Sequence, residues 1–170
     1  MEQKAKRRLA ELVRRNFSRG LEALAFGRTK PTFWTRSEPR SQIVQFVHLH
    51  LFTFAPSFRV HLGIRVLNDT FAAPALNGLS SHDGWALAAR KYVFSFSMSD
   101  GSTTKCAGEL VAFVSEVGVP WFESFAVPDA LLAPASPLGD SEKMRLRLAL
   151  DGHAESAAIA ASRKLLGISD

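Results

Sequence analysis

The sequence predicts an α+β domain: an antiparallel sheet of about four or five strands, an N-terminal amphipathic helix, and further helices packed mainly on one face. Three observations predict it. Residues 42–52 and 57–67 both alternate apolar and polar with period two, the signature of strands with one buried face. Four residues, Thr53-Phe54-Ala55-Pro56, separate them, and a connection that short joins antiparallel strands, because parallel ones need a crossover of a dozen residues or more. Apolar residues at three- and four-residue steps near the N-terminus supply a helix to cover the sheet.

In chain order, the first element is a helix over about residues 3–24. Leu9, Leu12, Val13, Phe17, Leu21 and Leu24 share one face, and Lys6, Arg7, Arg14 and Arg15 fall mostly off it. Gly20 weakens the helix interior, and Gly27 serves as its stop. Thr32–Arg36 is a short β-prone run around Phe33 and Trp34, and Ser37–Ser41 reads as a turn.

The hydrophobic faces of the next two strands fix their register. Pairing Phe52 with Ser57 sets Leu51 opposite Phe58, Leu49 opposite Val60 and Val47 opposite Leu62, all on the core side. The other side then pairs His50 with Arg59, His48 with His61, and Phe46 with Gly63.

Asn68–Gly84 is rich in turn formers and reads as an irregular loop. Tyr92, Phe94, Phe96 and Met98 alternate with smaller or polar residues, as in a half-buried strand. Thr103–Val117 switches to helical spacing, with Cys106, Leu110, Phe113, Val114 and Val117 on one face. Gly118 is its expected stop, and Pro120 is expected not to continue it. Pro128-Asp129 opens a short helix through Leu132. Residues 143–150 alternate like a strand, yet Asp140-Ser141-Glu142 resembles a helix start and the composition favours helix; the reading taken is helix. Glu155–Leu166, rich in alanine, is helical.

The 170 residues, 46% hydrophobic with 13 Phe and 3 Trp, suit one domain spanning 1–170 with one core. A single cysteine, Cys106, excludes a disulfide scaffold and a zinc site of several thiolates, and points to a reducing compartment. No apolar run is long enough to span a bilayer. No secretory h-region follows the N-terminal charges. The expected location is cytoplasmic. Charge is uneven: residues 1–40 hold 11 Lys and Arg against 4 Glu, and the rest hold 10 against 12, so the net +5 is a property of the first quarter.

Three passages carry a family resemblance. The first is Leu21-Glu22-Ala23-Leu24-Ala25-Phe26 followed by Thr32-Phe33-Trp34-Thr35-Arg36. The second is Ile43-Val44-Gln45-Phe46 leading to Phe58-Arg59-Val60-His61-Leu62-Gly63. The third is Gly118-Val119-Pro120-Trp121-Phe122-Glu123 after a helix. In this order, over about residues 9–132, they make the chain resemble the domain of unknown function 4304 family, with 140–168 as a C-terminal helical extension. The family often has Asn before the Leu-Gly of its strand, where this chain has His61. The resemblance implies an α+β fold with an antiparallel sheet and brings no activity and no catalytic residues.

Three groups of residues could carry function. His48, His50, His61 and Arg59 share the outer sheet face; they fit a solvated or helix-covered face, a zinc, copper or nickel site, or a basic ligand-binding patch. No carboxylate is nearby to orient the imidazoles. Lys6, Arg7, Arg14 and Arg15 form a basic patch that fits either the outer face of a packing helix or a docking site for nucleic acid or an anionic surface. Trp85, near His82 and Asp83, and Trp121, near Phe122 and Phe125, fit satellite core or interface anchors. Phosphate loop, dinucleotide fingerprint, nucleophile elbow, His-Glu-x-x-His and Cys-x-x-Cys motifs are absent. The reading is a small non-enzymatic binding protein without a cofactor, of immunity or regulator type, whose partner is a protein or another macromolecule. The alternatives are a metal-dependent or hydrolytic enzyme using the histidine face, and a binder of nucleic acid or anionic surfaces through the basic helix.

Overall fold

The computed structural model of the chain describes residues 2–38, 40–81 and 91–169. Helix α1 spans Gln3–Glu22. Strands β1 (Gly27–Lys30), β2 (Phe33–Arg36), β3 (Ile43–Leu51) and β4 (Phe58–Val66) follow, forming one antiparallel sheet in the order β1-β2-β3-β4. Helices α2 (Ser102–Phe113), α3 (Val119–Glu123), α4 (Pro128–Leu132), α5 (Asp140–Leu150) and α6 (Ser156–Leu166) complete the chain. The α+β class is as the sequence predicts.

The β3–β4 ladder has the predicted register throughout, with Leu51, Leu49 and Val47 opposite Phe58, Val60 and Leu62. Core packing enforces it: a slip by one residue would carry the whole apolar set to the other face. Val47, Leu49, Val60, Leu62 and Ile64 are fully buried against Val13, Phe17 and Leu21 of α1 and Leu110 and Phe113 of α2. Phe17 meets Trp34 edge-on with ring centroids 4.9 Å apart, and the Trp34 indole N–H donates to the Ser18 hydroxyl at 2.9 Å. Gly20, a weak point in the helix read alone, lies where α1 crosses α2, and a Cβ there would strike the Val111 side chain. The helix stops earlier than Gly27. Ala25 takes the left-handed conformation with φ 61°, and Phe26 N–H bonds to the Leu21 carbonyl at 3.1 Å, closing a Schellman turn on a non-glycine residue. β1, which Gly27 opens, has no apolar alternation to announce it.

Helices pack mainly on one face of the sheet, as expected, with α1–α5 contributing to the core there; α6 alone covers part of the other. Leu166, Ile159 and Ile168, from α6 and its end, pack on Val44, Phe46 and Phe33 of the outer face. Phe46 lies over Gly63, the pairing expected from the register, and a Cβ at Gly63 would enter its ring.

The outer edge of β4 is closed by groups drawn from irregular segments. Phe58 N–H donates to the Phe94 carbonyl, Leu62 N–H to the Leu79 carbonyl, Val60 N–H to the Ser81 hydroxyl, and Ile64 N–H to the Asn77 side-chain oxygen. Residues 77–81, read from sequence as irregular loop, therefore run along the sheet. The predicted strand at 92–98 alternates in burial as expected, with Tyr92, Phe94 and Phe96 inside. Among the described residues it pairs only through Ser57 and Ser95, because β4 is already occupied beyond that point. Met98 is 72% exposed.

The helix expected to stop at Gly118 runs on. Val114–Gly118 forms a π-helical turn that leads directly into α3. Val119 N–H reaches back to the Val114 carbonyl, and the wider turn accommodates Pro120, which has no N–H to give. Residues 143–150 are helical, within α5, and the Glu142 carboxylate accepts the Gly139 N–H at 2.9 Å.

Arg65, on the outer face of β4, is 2% exposed. It makes four hydrogen bonds and one ion pair. Nε donates to the Ser162 hydroxyl at 3.1 Å. Nη1 donates to the Ala73 carbonyl at 3.1 Å and forms an ion pair with the Asp69 carboxylate at 2.7 Å. Nη2 donates to the Asp69 carbonyl at 3.0 Å and the Phe71 carbonyl at 2.8 Å. Beside it, Asn68 joins the other helix: it donates to the Arg145 carbonyl and accepts from Glu155 N–H.

Two outcomes follow for urea unfolding. Arg65→Met leaves Asp69 as a buried carboxylate with no cation and lowers stability by about 3–5 kcal/mol. Gly63→Ala displaces the Phe46 ring and costs about 1–3 kcal/mol. Unchanged unfolding midpoints would contradict both assignments.

Candidate functional site

The sheet ladder places the four outer-face residues together as the sequence predicts, with His48 opposite His61 and His50 opposite Arg59. They lie on the same face as Phe46 and Val44, beyond the part that α6 covers, so among the described residues the face is half sealed and half open. His50 is exposed; His48, His61 and Arg59 are half-buried.

The rings are stacked, not convergent. His48 and His61 lie with centroids 5.9 Å apart and planes 27° apart, and Phe33 lies 4.6 Å from His48 on its other side. His50 meets Phe52 edge-on at 5.5 Å, and Phe52 leads on to Phe54 at 5.1 Å. The Arg59 guanidinium sits 5.5 Å from the Phe52 ring centre, within cation–π range. Among the described residues no three His, Cys, Asp or Glu side chains are arranged to hold a metal ion. The imidazoles act here as flat, half-apolar plates.

His48 is the most perturbed member. Burial pushes its pKa down to about 4, and the neighbouring His61 and His50 push the same way. Its Nδ1 is buried with no hydrogen-bond partner. The folded protein therefore holds His48 neutral.

A cleft of about 320 Å³ adjoins the ring row at the hairpin end, bounded by Phe52, Arg59, Ser81, Lys91 and Tyr92. Phe54, at the tip, is 84% exposed. Sequence reasoning did not single out Phe52 and Phe54; their place in the turn between two strands was the signal for an exposed tip.

The predicted basic patch divides. Lys6 is buried, and its ammonium donates to the Phe52 carbonyl at 2.6 Å and the Thr53 carbonyl at 2.8 Å, so it ties α1 to the β3–β4 turn. Arg14 is largely covered, with its guanidinium 5.6 Å from the Phe58 ring and 3.6 Å from Glu11. Burial lowers its pKa, and Glu11 opposes this. Arg7 and Arg15 do face solvent, together with Lys4, Arg8 and Arg19. Off-stripe position alone could not separate these groups, because a long cationic side chain can snorkel back to a carbonyl.

Trp121 is half-buried. Its ring lies 5.0 Å from Phe122 and 5.5 Å from Phe125 and covers Gly78, where a Cβ would approach it to 2.5 Å. It packs the sheet edge and is remote from the ring row. Trp85, His82 and Asp83 lie outside the described residues. Cys106 is buried, and burial raises its thiol to about 12, which suits a small core residue.

No family model matches the chain, and no match is found among curated proteins or solved structures. Among the described residues no helix is long and apolar enough to cross a membrane.

The His48 shift has a definite sign. Its pKa is depressed on folding from 6.5 to about 4, so the unfolded chain binds the proton first. The stability is complete above about pH 6.5 and is lost as the pH falls towards 4. Unfolding free energies of wild type and His48→Phe across that interval check this: the variant should show a shallower loss, and parallel curves would contradict it.

Proposed function

We propose that this chain is a non-catalytic binding protein that presents the open half of its outer sheet face to another macromolecule. The observation that carries the reading is the contiguous ring row His50–Phe52–Phe54, exposed at His50 and Phe54 and half-buried at Phe52, with Arg59 beside it. The remainder of the same face is sealed by α6 and the Phe46–Gly63 contact. An aromatic ring held at 84% exposure on a turn that Lys6 anchors through two carbonyls costs hydrophobic free energy unless a partner covers it. Large aromatic and Arg groups at the centre of an open patch are the usual anchors of a binding surface.

The stacked histidines do not support a metal-dependent or hydrolytic enzyme. The ring row holds no pair of carboxylates, and the one thiol is raised far from reactivity. Kinship with the domain of unknown function 4304 family rests on the passages quoted above and adds no activity. The exposed cations of α1, namely Lys4, Arg7, Arg8, Arg15 and Arg19, lie on the other side of the sheet from the ring row. Together with the net charge of +5, they favour a partner of negative charge by long-range attraction.

The test is site-specific photo-crosslinking in the cells of origin. A benzophenone side chain at position 54 should capture a macromolecule, whereas the same group at Val127, also exposed but away from the row, should not. Equal capture at both positions, or none at 54, contradicts the reading.

A further inference from the structure

We propose that the open half of the sheet face is a stacking platform for the unpaired bases of a single-stranded nucleic acid. The proposal rests on the docking role of that face and names its partner. Three features argue for this class.

The first is the chemistry of the row. His50, Phe52 and Phe54 are planar groups in series, with centroids 5.5 and 5.1 Å apart. These steps exceed the about 3.4 Å spacing of bases stacked within a strand. A base can therefore pair face to face with one of these rings only when its strand is splayed, as unpaired strands can be and duplexes cannot. Every base offers a π-face, so such a row takes bases irrespective of sequence.

The second is the placement of charge. Arg59 sits beside the Phe52 ring and lines the adjoining cleft of about 320 Å³ together with Lys91. The described lining of that cleft holds these two cations and no carboxylate. A base on Phe52 or Phe54 thus has a cation within reach of its phosphate, the combination of stacking and backbone neutralisation that single-strand binders use.

The third is the whole-molecule field. The net charge of +5 raises the local concentration of a polyanion and accelerates encounter.

Fluorescence anisotropy with labelled oligouridylate and oligothymidylate tests this directly, with a duplex of equal length and phosphatidylserine-containing vesicles as the competing ligands. Both single strands should bind in preference to duplex and vesicles, and the difference between them reports whether the 2′-hydroxyl is read. Phe54→Ala should weaken single-strand binding about tenfold with no change in melting temperature, since the ring is exposed. Arg59→Gln should lower the slope of log affinity against log salt by about 0.7. Equal affinity for duplex, vesicle binding alone, or insensitivity to Phe54→Ala would each overturn the proposal. So would loss of binding only on Arg8→Glu and Arg15→Glu, which would move the site to α1. If neither oligonucleotide binds while the probe at position 54 still captures a macromolecule, the nucleic-acid assignment falls and the docking face stands. If that probe is silent as well, both fall.

Discussion

The guanidinium of Arg65 is the constraint on which the shape of the outer sheet face depends. A buried charge is tolerated when it is hydrogen-bonded and a counter-charge is at hand, and Arg65 donates to three loop carbonyls and one hydroxyl and is ion-paired with one carboxylate. The three carbonyls fix residues 69–73 in one path, and that path delivers residues 77–81 alongside β4. The hydroxyl belongs to Ser162 of α6, so the same side chain holds the helix that seals Phe46 and Val44. Where α6 ends its cover, the ring row begins. The open site is therefore the remainder of a face whose other half is occupied by a polar lock.

Lys6 plays the matching part on the core side. By donating to the Phe52 and Thr53 carbonyls it joins the first turns of α1 to the β3–β4 turn, and Glu11 of the same helix gathers Arg14 and, from β1, Arg28. Hydrogen bonding to Arg28 chiefly holds the Glu11 carboxylate below its usual range. The helix that supplies most of the positive charge in sequence thus uses part of it internally and leaves the rest to solvent.

Much of the fold was legible because it rests on periodicity. The alternation through 42–67 determined both strands and their register residue by residue, since only one pairing puts Leu49 and Val60 indoors. The α1 stripe was legible for the same reason, and the α6 segment through its alanine-rich composition. What escaped was carried by groups whose role is not periodic. Arg65 occupies the polar phase of β4 and reads as a surface residue; its burial is decided by Asp69, Ala73 and Ser162, which no spacing rule links to it. β1 has four residues and no apolar alternation. Gly118 and Pro120 read as a helix stop because a π-helical turn leaves no mark in composition. The histidine face was found correctly, but its openness depends on where α6 ends, and the aromatic turn residues beside it were passed over as a connection.

The two borders of the sheet also differ in how they meet other chains. Along β4, a hydroxyl, an amide side chain and two carbonyls from separate segments take up the outward N–H groups, so no incoming strand finds a regular ladder to extend. At the opposite border, β1 is four residues long and its pairing with β2 is irregular between Arg28 and Lys30. Lys30 there donates to the Leu165 carbonyl at the end of α6. Short, charged and irregular borders resist edge-to-edge growth. Concentrated solutions of this protein are thereby protected from cross-β polymerisation at the sheet margins, and any self-association is left to side-chain surfaces.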